Sequence, residues 1–120
     1  MQRRSILIVE DDPDLADLLQ TVLGDQYQTE WAADVPSALT CLGRGSAEVV
    51  LLDCMVPAGS VTDVAEQARG RDCPVILMSG LPEMLNALAA FGYICLQKPF
   101  RMGELLDAIE SACVQQQQRR

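Results

Sequence analysis

The sequence predicts an α/β fold in which a parallel sheet is covered on both faces by helices, and three observations carry that expectation. Short apolar runs recur at Ile6 to Val9, Val49 to Asp53, Val75 to Met78 and Tyr93 to Gln97, which suits strands buried on both faces. Segments with apolar residues at helical spacing lie between them. Each run stops at polar chemistry: Glu10, Asp11 and Asp12 after the first, Asp53 at the end of the second, Ser79-Gly80 and Lys98-Pro99 after the last two. Strand and helix alternating in this way require crossover connections and hence a parallel sheet. The C-terminal ends of such strands share one edge, where open α/β sheets place their chemistry.

In chain order, Ile6 to Val9 is the first strand. Asp12-Pro13 is a helix start, with Asp12 placed to cap and Pro13 preset for the first helical position. Leu15, Leu18, Leu19, Val22 and Leu23 form the apolar stripe of that helix, and Gly24 stops it. Tyr27 to Ala32 alternates poorly, but its Tyr27, Thr29 and Trp31 suit a short edge strand. Asp34 caps a second helix along Val35, Ala38, Leu39 and Leu42, ended by Gly43 and Gly45. The strand Val49 to Asp53 follows, then Pro57 and the turn Ala58-Gly59-Ser60. A weak helix from Val61 to Arg69 carries Val61, Val64, Ala65 and Ala68 on one side and ends at Gly70. Cys73-Pro74 reopens an extended chain into the fourth strand. Leu81-Pro82 starts a helix along Met84, Leu85, Leu88 and Ala89. After the strand Tyr93 to Gln97, a last helix aligns Met102, Leu105, Leu106, Ile109 and Ala112. Residues Gln115 to Arg120 read as a polar tail or linker that frays.

The chain has 120 residues, the length of one ordinary domain, and shows no internal repeat. Seventeen acidic against nine basic residues give a net charge of −8, which argues against direct binding to nucleic acid phosphates. Cys41, Cys54, Cys73, Cys95 and Cys113 form no C-x-x-C pair and fall mostly within apolar runs, so they read as small buried hydrophobes of a reduced protein. The chain has no histidine, which removes the usual zinc ligand sets. Nothing resembles a signal peptide and no segment approaches the length needed to span a bilayer. A cytoplasmic protein with no membrane partner is expected.

Glu10, Asp11 and Asp53 on one sheet edge cannot all stay ionised without a counter-charge. A hard cation held by oxygen ligands resolves this, and Mg²⁺ fits best. Asp12 and Asp14 are better read as a solvated helix N-terminus favoured by the macrodipole. A carboxylate can also accept a phosphoryl group as an acyl phosphate, which gives Asp53 a second role. Lys98, the sole lysine of the chain, offers a compact cation for a phosphoryl oxygen, and the Ser79 hydroxyl offers a donor to another. Metal and lysine together would offset charge on the transferred group, which is most of what phosphoryl transfer asks of a protein.

Taken in order, Glu10-Asp11, Asp53 with Pro57 four residues on, Ser79-Gly80 and Lys98-Pro99 resemble the receiver domain of two-component response regulators, over roughly residues 5 to 114. That resemblance implies a flavodoxin-like (βα)5 fold with strand order 2-1-3-4-5 and phosphorylation at Asp53. It implies Glu10 and Asp11 as the acidic pair, with Mg²⁺ held by Asp11, Asp53 and the backbone carbonyl of Met55. It makes Ser79 the hydroxyl switch residue and Lys98 the phosphoryl-contacting lysine, followed by a cis bond to Pro99. The implied donor is a phosphohistidine on a histidine kinase or histidine phosphotransfer protein, on another molecule or domain because this chain has none. Phosphorylation would then alter the surface of the fourth helix, fifth strand and fifth helix for an unnamed downstream protein, with a phosphorylation-linked homodimer as a further partner to test. Such a domain is a signalling phospho-acceptor that promotes only its own phosphorylation and dephosphorylation, and is not an enzyme acting on other substrates.

Four features depart from the family pattern. The switch aromatic three positions before the lysine is Cys95, with Tyr93 on the same strand face as a partial substitute. Val61 stands where the third loop usually has glycine, which implies a rebuilt turn. The third and fourth helices look trimmed. Met55 and Leu81 are apolar where family members place polar groups that position water, which implies a long-lived acyl phosphate. The contrasting function is a degenerate receiver that binds partners without phosphorylation. A flavin-binding relative would need a phosphate-cradling loop where Glu10 to Asp14 stand, and a haloacid-dehalogenase-like phosphatase would need an aspartate at Met55. The 120 residues suit either a stand-alone regulator or the receiver of a longer regulator, and Leu96-Gln97-Lys98-Pro99-Phe100 resembles receivers of hybrid kinases.

Overall fold

A computed structural model describes residues 3–119, with side chains to residue 116. Five strands, β1 (Ser5–Val9), β2 (Gln28–Ala32), β3 (Val49–Asp53), β4 (Val75–Ser79) and β5 (Ile94–Gln97), alternate with five helices. These are α1 (Pro13–Leu23), α2 (Val35–Gly43), α3 (Val61–Gly70), α4 (Pro82–Ala89) and α5 (Met102–Arg119). The strands are all parallel in the order β2-β1-β3-β4-β5, the flavodoxin-like topology.

Alternation along the strands divides the core into two layers. Leu7, Val9, Val50, Leu52, Val75 and Leu77 face α2, α3 and α4. Ile6, Ile8, Val49, Leu51, Ile76 and Met78 face α1 and α5, against Leu19, Leu23, Leu105 and Ile109. β3 and β4 are buried along their whole length, which is why their sequences run apolar without a break.

Capping sets where the helices begin. Asp12 accepts the Asp14 amide at 3.0 Å and Asp34 accepts the Ser37 amide at 2.8 Å; such a cap contributes about 1 kcal/mol. Ser60 caps α3 through the Thr62 amide, whereas α4 has no side-chain cap and begins on Pro82. The turn before α3 is built around Ala58 at φ 72° and Gly59 at φ 155°. A Cβ on Gly59 would lie 2.9 Å from Val35 Cγ1, so glycine lets this loop close on α2.

Two expectations need correction. Leu18 is 48 % exposed and off the α1 stripe, which is carried by Ala16, Leu19 and Leu23. The stretch from Gln115, read as a polar tail, is helical: α5 continues to Arg119 and Gln116 is buried. Gln116 accepts from Arg4 Nη1 at 2.7 Å and donates to the Glu48 carbonyl at 3.0 Å, so long-range hydrogen bonds extend the helix where apolar spacing has ended. Arg120 lies outside the described residues. Cys41, Cys54 and Cys73 are buried, as their place in apolar runs implies. No helix among the described residues is long and apolar enough to cross a membrane.

Candidate functional site

The strand ends converge as their sequence implies. β1 releases the chain into Glu10, whose side chain is fully buried, and Asp11, which is exposed. The Glu10 amide donates to the Ala32 carbonyl at 3.0 Å, and its carbonyl accepts from Trp31 Nε1 at 2.7 Å. β3 ends on Asp53, itself buried, and the next amide, Cys54 N–H, still pairs with the Met78 carbonyl at 3.0 Å. Asp53 Oδ1 accepts the Met55 amide at 3.0 Å. β5 leads to Lys98, whose amide donates to the Ser79 carbonyl at 2.8 Å before a cis bond to Pro99.

Lys98 Nζ stands 2.8 Å from both Glu10 Oε1 and Asp53 Oδ2. One ammonium therefore serves two buried carboxylates, while Glu10 Oε2 has no hydrogen-bond partner. Burial raises the Glu10 carboxyl from 4.5 to about 7, and its contact with Asp53 adds to the rise against the opposing effect of Lys98. Burial also pushes Asp53 upward. The neighbouring Glu10 carboxyl, with hydrogen bonds from Lys98 and the Met55 amide, outweighs it and holds Asp53 below its ordinary value. Lys98 is drawn down by burial and more strongly up by Asp53 and Glu10, so it stays charged. Of the two buried acids, Glu10 takes up a proton more readily than Asp53.

Glu10, Asp11 and Asp53 each present a ligand oxygen within 4.8 Å of the others. Fully ionised, three carboxylates against one ammonium leave two negative charges uncompensated. A divalent cation with a preference for oxygen matches that excess, and the orphaned Glu10 Oε2 is a buried acceptor with nothing to accept from. The donor set fits Mg²⁺.

The sequence profile described as the response regulator receiver domain matches residues 6–110. The chain belongs to the response regulator receiver family. Sensory transduction protein RegX3 of Mycolicibacterium smegmatis is 37% identical over 114 residues, covering 89% of this chain and 49% of that protein. The DNA-binding response regulator MtrA of the same organism is 30% identical over 116 residues, covering 91% and 50%. The chain thus spans about half the length of these curated relatives. Response regulator TrrA of Thermotoga maritima, solved in complex with Mg²⁺-BeF, superposes with a TM-score of 0.80 at 26% identity over 91% of this chain and 98% of that one.

The receiver's outer residues are placed less simply than its acids. The Ser79 hydroxyl is buried and turned toward α4: it accepts the Leu81 amide at 3.0 Å and meets Met84 Sδ at 3.8 Å. Cys95 Sγ reaches the Leu85 carbonyl at 3.5 Å, also on α4. Tyr93 precedes β5, and Arg69 of α3 lies 3.6 Å above its ring, so Tyr93 is engaged with α3. Met55 and Leu81 flank the pocket, 65 % and 45 % exposed. Sequence reasoning missed the Trp31 bond to Glu10 and the Met84 contact with Ser79. The first has a faint signal, an aromatic donor on an edge strand in register with Ile8, two residues before Glu10.

Proposed function

We propose that this receiver takes a phosphoryl group onto Asp53 from a phosphohistidine of a histidine kinase or histidine phosphotransfer protein. The observation that carries this reading is the position of Lys98, shared at 2.8 Å between a charged Asp53 and a Glu10 whose second oxygen is unpartnered. With the donor imidazole protonated on its other ring nitrogen, its P–N bond breaks as a P–O bond to the Asp53 carboxylate forms, leaving an acyl phosphate on this chain and a neutral imidazole on the other. Glu10, Asp11, Asp53 and the Met55 carbonyl would hold Mg²⁺, which when bound supplies positive charge against the oxygens of the transferred group.

The chain's own groups orient and then read the group. The Met55 amide and Lys98 each hold one Asp53 oxygen and so fix the plane of the carboxylate. On transfer, Lys98 moves its hydrogen bond to a phosphoryl oxygen. Ser79 leaves Met84, a weak acceptor, for another phosphoryl oxygen. Because Ser79 and Cys95 both touch α4, that exchange is read out on the surface formed by α4, β5 and α5, where a downstream protein or a second copy would dock. Residues 1–120 act as one receiver domain in the cytoplasm, with a core over about 5–114 and a net charge of −8 that disfavours direct contact with nucleic acid. The apolar Met55 and Leu81 place no water on the acyl phosphate, which supports slow loss.

Incubation with Mg²⁺ and a small acyl-phosphate donor, followed by intact mass, tests the reading. Gain of one phosphoryl group, absent in Asp53→Asn and with a chelator, is the expected result. A folded chain that gains none under any condition would overturn it in favour of a receiver that only binds partners. Met55→Asn with Leu81→Glu is expected to shorten the lifetime of the phosphorylated form.

A further inference from the structure

Glu10 and Asp11 are neighbours in sequence but lie in different surroundings, one fully buried and one exposed, and still their carboxylates converge with Asp53 within 4.8 Å. Consecutive residues of an extended chain point to opposite sides. Convergence therefore requires the peptide between them to leave strand geometry and to be held there. The carbonyl of that peptide is the one Trp31 Nε1 grips at 2.7 Å, while the Glu10 amide is fixed to Ala32. Both polar backbone groups of Glu10 are thus tied to the end of the edge strand β2. Trp31 is 40 % exposed, so its ring is not locked in place by a closed core.

We infer that Trp31 is a positioning residue for the metal pocket: its indole N–H fixes the Glu10–Asp11 peptide so that Asp11 already faces Asp53 before a cation arrives. A ligand set arranged in advance spares the ordering that binding would otherwise have to supply. The inference rests on the Mg²⁺ reading above and adds to it a residue outside the carboxylate set. Trp31 is also the sole tryptophan of the chain, so its emission reports on the loop it holds.

The test is calorimetric titration of the full chain with Mg²⁺ alone, for the wild type, Trp31→Phe, and a chain with Trp31 replaced by benzothienylalanine. That last side chain keeps the bicyclic shape and puts sulfur where the N–H was. Loss of one such hydrogen bond is expected to weaken Mg²⁺ binding about threefold to tenfold in both variants. The isosteric variant should unfold near the wild-type temperature in chelator. Wild-type affinity in the isosteric variant would overturn the inference, as would a loss confined to the phenyl variant, because ring packing would then be the cause. A wild type that takes up no Mg²⁺ would defeat the metal reading and this inference together, which separates the two failures.

Discussion

The two ends of the sheet carry polar clusters of opposite character. At the N-terminal end, Arg4, Ser5, Glu48 and Gln116 satisfy one another: Gln116 bridges Arg4 and the Glu48 carbonyl, and Glu48 Oε1 accepts the Ser5 amide at 3.2 Å. At the C-terminal end, one lysine is divided between two buried acids and one carboxylate oxygen is left over. The first cluster joins α5 to the strands that start beside it. The second leaves a buried carboxylate oxygen without a partner. Incompleteness in a buried polar group is costly to stability, and it is found here at the end where the chemistry lies.

The largest effect that would sharpen this contrast is at Lys98. Lys98→Met leaves Glu10 and Asp53 facing each other without their ammonium, and breaking a buried charge cluster in this way costs about 3 kcal/mol or more. Urea unfolding at neutral pH in chelator should show that loss. Saturating Mg²⁺ should restore more stability to the variant than it adds to the wild type, since the cation enters a pocket that has lost its only internal counter-charge. Equal Mg²⁺ stabilisation in both would mean that lysine and metal do not share the same charge excess.

A second test turns on pH. A carboxyl raised in the folded state contributes its full stability below its unfolded value and loses it as pH rises through the folded value. For Glu10 that window runs from 4.5 to about 7. Metal-free protein should therefore become less stable as pH rises across it, and Glu10→Gln should flatten the slope. Asp53, held below its ordinary 3.8, loses its contribution only as pH falls through that lower value. Lys98, held above 10.5, loses its own only in strong alkali. Neither enters the window. An unchanged slope in Glu10→Gln would place the proton elsewhere.

What the sequence disclosed at each end follows from the same physics. Ile6 to Val9 and Val49 to Asp53 are legible because strands buried on both faces must be apolar, and because charges after them can only lie at a strand mouth. Lys98 declares itself as the one lysine, after the fifth strand. Gln116 does not: it sits in a run of glutamines with no periodic signal, and its partners Arg4 and Glu48 are 112 and 68 positions away. Trp31 reads as a strand former because ring and N–H are one residue, and only the register of β1 against β2 shows which role the N–H takes. The direction of the Ser79 hydroxyl is a rotamer, and no spacing encodes it. Ala58 at a positive φ likewise has no cue, since alanine seldom takes that conformation.

The N-terminal cluster should respond more mildly. Gln116→Ala removes two hydrogen bonds, but Arg4 remains partly in water, so the expected cost is about 1 to 2 kcal/mol. Amide exchange should quicken in the last turns of α5, and Mg²⁺ affinity should stay as in the wild type. A change in Mg²⁺ affinity would show that the two ends are coupled through the sheet.

The smallest effect is the most discriminating, because it repeats one substitution at the other end. Glu48→Gln removes a charge 3.5 Å from Arg4, in a pair about a third exposed on each side, where such contacts contribute about 0 to 1 kcal/mol. The amide oxygen of the new side chain can still accept from the Ser5 amide, and the backbone carbonyl that takes Gln116 is untouched. Stability should fall by less than about 0.5 kcal/mol, with slightly less dependence on salt. Glu10→Gln makes the same change of one oxygen to one amide, yet there it should remove a pH slope and weaken Mg²⁺ binding. The difference lies in surroundings: water and a mobile arginine buffer Glu48, whereas Glu10 is sealed beside Asp53 with one oxygen unanswered. If the two substitutions behaved alike, burial and shared charge would not be what distinguishes the reactive end of this sheet from the merely fastened one.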